Sequence, residues 1–156
     1  MPPVRTFKDL VPLLYSFSGR ISRLWFWLGV AIIFVMLFLL WAFGDLLALL
    51  PSVPEGLRLP LAFLFFGTIA LVPILALVVK RLHDRDKSAW WLLPFSFMPY
   101  WMDKLSDRLP EDTPAWWAAV TIGLVLGMWG LIEFGFLKGT AGPNSYGPDP
   151  LAGPGS

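Results

Sequence analysis

The sequence predicts an all-α polytopic membrane protein, a bundle of four transmembrane helices whose third member is short. Three observations carry that expectation. Apolar residues are clustered into stretches of membrane length that carry at most one charge. The cations fall almost wholly on one side of those stretches, and aromatic residues mark their ends. Hydrophobic residues make up 56% of the 156 and charged residues 15%, against about 45–50% and about 25% in soluble domains. A chain of this length accommodates one domain.

A bilayer core about 30 Å thick needs about 20 apolar residues in a helix. Residues 1–23 read as a cytoplasmic N-terminal segment. Its short apolar run LVPLLYSF is broken by Pro12, and no small-residue cleavage site precedes Arg20, so the first long helix is expected to act as an uncleaved anchor. Within the 24–137 transmembrane domain, Leu24–Gly44 and Leu59–Val79 carry no charge, with Pro73 expected to bend the second. Ala89–Met102 (AWWLLPFSFMPYWM) is short and holds Pro94 and Pro99. It is re-entrant, or it crosses by borrowing Asp103–Ser106 with Lys104 reaching outward. Ala115–Leu137 holds one acid, Glu133, close enough to its inner end to pair with Lys138 or an arginine of the 80s loop. Residues 138–156 form a Gly/Pro-rich cytoplasmic tail.

With the N-terminus inside and four crossings, nine cations face the cytoplasm: Arg5, Lys8, Arg20, Arg23, Lys80, Arg81, Arg85, Lys87 and Lys138. Three, Arg58, Lys104 and Arg108, face outward. A re-entrant third segment keeps the bias, so charge orients the N-terminus without choosing between the two arrangements. The aromatic pairs Trp90–Trp91 and Tyr100–Trp101 sit at the two ends of the third segment, as at two interfaces, and favour the crossing.

With no cysteine, thiol catalysis and thiolate metal sites are excluded. One histidine leaves a catalytic zinc site short of ligands. No metal, cofactor or catalytic residue is assigned, and a net charge of +1 gives no field that would draw nucleic acid.

Three motifs then fall on the same predicted side: FSGRISRLWFW (Phe17–Trp27), RLHDRDKSAWW (Arg81–Trp91) and GTAGPNSYGPDP (Gly139–Pro150). Together they resemble the bacterial inner-membrane family catalogued as domain of unknown function 805. That family has a GR-x-x-R-x-x-[FY]-W entry, an R-L-H-D loop leading to a tryptophan pair, and a G-x-N-x-Y-G-P-D-P tail. The resemblance spans residues 17–150 and implies a four-helix fold in the inner membrane, but no activity. It also implies that NSYGPDP folds back under the bundle, although composition alone reads that tail as irregular. The chain departs from the pattern at Asp86 and Ala89, where the family usually has glycine. Asp tolerates a positive φ, and Ala89 is expected to start a helix behind Ser88.

Arg20, Arg23, Arg81 and Arg85, with Trp90 and Trp91, form the candidate site for an anionic headgroup or ligand. Arginine forks suit phosphate, and indoles suit an interface. The plainer reading is topogenic. His83, Asp84, Asn144, Tyr146 and Asp149 are expected to form a structural network supporting that face. Gly123, Gly127 and Gly130 share a helix face, suited to packing within the chain and, more weakly, to self-association or a membrane partner. The function expected is non-enzymatic: a basic, aromatic-rimmed cytoplasmic face binding anionic lipid or a protein partner. The alternatives are a membrane enzyme acting on a lipid-borne or phosphorylated substrate, with His83 or Asp84 as acid or base, and a small transporter.

Overall fold

A computed structural model describes residues 7–48, 61, 64 and 67–152. The architecture is all-helical, and no strand occurs among the described residues. Helix α1 is Phe7–Tyr15 and α2 is Arg23–Ala48. A π-helical turn, Gly67–Leu71, leads into α3, Val72–Asp84. After a short connection come a 3₁₀ turn, Ala89–Trp91, a π-helical turn, Leu93–Phe97, and α4, Met98–Ser106. Helix α5 is Pro114–Leu131, and a last π-helical turn, Ile132–Phe136, extends it.

Two of the wide turns accompany prolines. Pro73 follows the first, and Pro94 lies in the second with Pro99 just after it. A proline ring carries no N–H, and a wider turn with i→i+5 bonding lets the ladder resume beyond it. At α5 the start is conventional. Thr113 Oγ1 accepts from the Trp116 amide at 3.3 Å, and Pro114 occupies the first turn, where an N–H has no partner to lose.

Helix α3 ends later than a boundary at Val79 implies. Lys80–Asp84 form its last turn, which shortens the connection to residues 85–88. Asp86 has φ 57°, a left-handed turn in the family's glycine position. Ser88 is extended and precedes the turn at Ala89 without a side-chain cap. The third segment is helical from Ala89 through Ser106 and includes the four residues after Met102. Among the described residues, Pro114–Phe136 is long and apolar enough to cross a bilayer, 23 residues at a mean hydropathy of 1.8. Arg23–Leu39 is a shorter apolar stretch. Of the second predicted span, residues 59–66 lie outside the described residues apart from 61 and 64.

Small residues set the close approaches. Gly29 of α2 lies against Leu77 of α3. Along α5, Gly123 meets Met102, Gly127 meets Pro99, and Gly130 meets the Phe95 backbone. Rising numbers on one side against falling numbers on the other make the third segment and α5 an antiparallel pair. The core where these elements meet includes Leu13, Ile21, Phe26, Leu77, Leu82, Phe95 and Phe134. Much of the outer surface is also apolar: Phe34, Phe38, Trp41, Leu124, Val125 and Trp129 are all exposed.

Candidate functional site at the junction of three motifs

An α-helix ends with four carbonyls that have no partner inside it, and with a partial negative charge. At the end of α5 and its π-helical turn, five consecutive carbonyls accept from side chains of the first two motifs. Arg81 Nε donates to Phe134 O at 2.8 Å, the Trp27 indole to Gly135 O at 3.0 Å, and Arg23 to Phe136 O at 3.1 Å. Arg81 Nη2 donates to Leu137 O, and Arg85 to Lys138 O at 2.7 Å. Arg23 and Trp27 stand four apart on α2, as do Arg81 and Arg85 where α3 ends, so each pair presents one face. Cations at this terminus also oppose its dipole.

Arg20 performs the same task for the tail. Its guanidinium donates to the carbonyls of Thr140 at 2.6 Å, Gly142 at 2.7 Å and Gly147 at 3.2 Å, and to Asp84 Oδ1 at 3.1 Å. Asp84 Oδ2 pairs with Arg81. Burial pushes the Asp84 carboxyl up and Arg81 and Arg20 pull it down; with two guanidiniums on one carboxylate, the ionised form is the one the geometry serves. Gly139 passes so close that a Cβ there would collide with the Asp84 carboxylate. The side chains of Arg20, Arg81 and Asp84 are 1%, 0% and 3% exposed.

The rest of the tail closes over the end of α3. The Asp84 carbonyl accepts from the Thr140 amide at 2.8 Å, and the His83 carbonyl from Asn144 Nδ2 at 2.8 Å. The Tyr146 ring stacks on His83 with centroids 3.9 Å apart and planes 6° apart, while His83 Nδ1 faces Gly19 O at 3.2 Å. Burial lowers the His83 pKa, and the Gly19 carbonyl opposes that shift. Asp149 accepts from the Gly142 and Leu151 amides at 3.0 and 2.9 Å. Asp86, in its left-handed turn, accepts from the Ser145 amide at 3.1 Å.

The structure thus brings Arg20, Arg23, Arg81, Arg85, His83, Asp84, Asn144, Tyr146 and Asp149 to one end of the bundle. It divides the six residues expected to meet an anion. All three guanidinium nitrogens of Arg20 and of Arg81 are engaged inside the protein. Arg23 is exposed, and Trp90 and Trp91 are 77% and 40% exposed. Arg85 and Lys87 meet the buried Glu133 at 3.0 and 2.8 Å, and Lys87 also lies 4.5 Å over the Trp91 ring. The glycine face of α5 is covered by Phe95–Met102 of the same chain. Among the described residues, no three His, Asp or Glu side chains group as a metal site would need.

Two participants escaped sequence reasoning. Trp27 acts through its indole N–H, which donates to Gly135 O, and its place four residues after Arg23 was the available signal. Lys80 is fully buried and donates to the carbonyls of Pro12, at 3.0 Å, and Leu13. Nothing local in the sequence separates it from the cations of the rim.

The family model for "Protein of unknown function (DUF805)" matches residues 14–148. The chain belongs to that family. Relatives in Escherichia coli K12 include the inner membrane protein YhaH, 27% identical over 89% of this chain and 90% of YhaH. The inner membrane protein YhaI is 29% identical over 88% of each chain, and the uncharacterized protein YiiR is 35% identical over 87% of this chain and 86% of its own. The family and these relatives make the chain a bacterial inner-membrane protein. No solved structure matches it.

Proposed function

We propose that the chain is a non-enzymatic inner-membrane protein of four crossings with its N-terminus and all three motifs on the cytoplasmic side. Its interlocked cytoplasmic end would then present a basic, aromatic rim to anionic lipid headgroups. The observation that carries the reading is the full engagement of Arg20, Arg81 and Asp84 by the chain itself. A catalytic centre needs groups aimed at a substrate. Here His83 and Asp84 face separate partners, Gly19 and Tyr146 for the first and two arginines for the second. The antiparallel pairing of Ala89–Ser106 with α5 supports a crossing third segment, because it runs beside the helix of membrane length and away from the interlocked end. Arg23, Lys138 and Trp90 remain exposed at that end, where each cation near an anionic surface contributes about 1 kcal/mol.

The test joins topology to binding. Cysteines replace Glu111 in the turn between α4 and α5 and Ser145 in the tail. Asp112 is avoided because its φ of 60° strains a substitution. Residue 111 is expected to label from outside intact cells and residue 145 only after permeabilisation. Arg23→Ala with Lys138→Ala is expected to weaken retention of anionic over zwitterionic lipid in mild detergent, in a salt-sensitive way. Unchanged retention retires the lipid rim, and labelling of both positions from one side retires the four crossings.

A further inference from the structure

Helix α1 begins Phe7–Lys8–Asp9 and buries Leu13 and Leu14 against the bundle, and in its C-terminal part the outward residues are uncharged: Val11 is 63% exposed and Tyr15, one turn on, 41%. A helix whose outer face meets water carries charge there. Two contacts locate it along α3. Lys80 holds the Pro12 and Leu13 carbonyls, and the Tyr15 hydroxyl donates to the Thr68 carbonyl at 3.0 Å. Thr68 lies about 16 Å of helix before Val79, well within the second crossing rather than at its cytoplasmic end. The chain then returns from Tyr15 to the interlocked end, where Gly19 O meets His83.

From this placement we infer that α1 is a re-entrant helix sunk into the inner leaflet, its face of Val11 and Tyr15 against lipid acyl chains. The inference rests on the four-crossing reading. It also gives buried Lys80 a purpose. The carbonyls that a helix end leaves unpaired must be satisfied by protein if that end lies at membrane depth. Pro12 O and Leu13 O, near the end of α1, find that satisfaction in the Lys80 ammonium, and Pro12 O also in the Ser16 amide at 3.2 Å. The lysine thereby permits a helix to end inside the leaflet.

The experiment uses the full chain in bilayers. The chain has no cysteine, so single nitroxide labels go on Val11→Cys, on Leu124→Cys in α5 as a lipid-facing reference, and on Ser145→Cys as an aqueous one. Each label is tested for relaxation by oxygen, which concentrates in lipid, and by a water-soluble nickel chelate. Val11 is expected to match Leu124, with high oxygen and low nickel accessibility. Nickel access at Val11 like that at Ser145 overturns the inference and places α1 in water. Low access to both reagents overturns it in favour of a protein contact over that face. If Leu124 is itself open to nickel, the crossing reading fails and the inference falls with it. Leu124 at its lipid value with Val11 in water leaves the crossings intact and removes only the re-entrant helix. Val11 is exposed, so its substitution disturbs no packing.

Discussion

An arginine carries five N–H groups in a rigid fork, and at Arg20 and Arg81 the forks bind this chain's own carbonyls. Motif order placed these residues on one predicted side but did not show what they meet: acceptors more than fifty positions away are invisible to local pattern, as Arg81 to Phe134 and Arg20 to Thr140 illustrate. The ring of His83 offers the sharpest test at this scale. Burial depresses its pKa from the usual 6.5, so the folded chain holds the proton less firmly than the unfolded one. The stability tied to the neutral ring is complete above about pH 6.5 and is lost as pH falls toward the depressed value. The expected outcome is a melting temperature in detergent that drops between pH 7 and 5 by more in the parent than in His83→Gln, the difference isolating this group. Asp149, held low by the Leu151 and Gly142 amides, loses its contribution only near and below pH 3.8, outside that window.

Among the elements, the long helices were legible because uncharged runs of membrane length have few other homes. Helix α1 was not, since nine residues interrupted by Pro12 read as an apolar scrap. The π-helical turns were equally hidden; prolines announced irregularity near two of them, but only coordinates give the pitch. The third segment showed its two possible fates in the sequence; what local pattern did not show is which helix it packs on, and Gly130 is where α5 approaches the Phe95 backbone. A Cβ at Gly130 would lie 2.9 Å from Phe95 O and 3.0 Å from Phe95 Cβ. Gly130→Val is therefore expected to destabilise by about 1–3 kcal/mol through overpacking, read as earlier unfolding in a detergent melt. Exposed Val125→Ala on the same helix should change little, since no buried contact is lost.

Over the molecule as a whole, three segments far apart in the chain close a single network around Asp84. Their shared side was legible from charge bias and motif order. Their interlocking was not, because composition reads a tail of glycine and proline as irregular. Deleting residues 139–152 would strip Arg20 of three carbonyl acceptors. Hydrogen bonds to a charged group contribute about 1.5–3 kcal/mol each, although water entering the opened end offsets part of that loss. The truncated chain is expected to insert normally but to melt earlier, with residues near Gly19 becoming open to protease in inside-out vesicles. Normal melting would mean that the tail merely rests on the bundle. The arrangement also has a consequence in time. The ribosome makes the donors at 20, 23, 27, 81 and 85 well before the acceptors at 134–147. Under the proposed topology the four arginines among them stand hydrated during insertion, free to hold their loops in the cytoplasm, until residues 134–147 emerge and withdraw them from that duty.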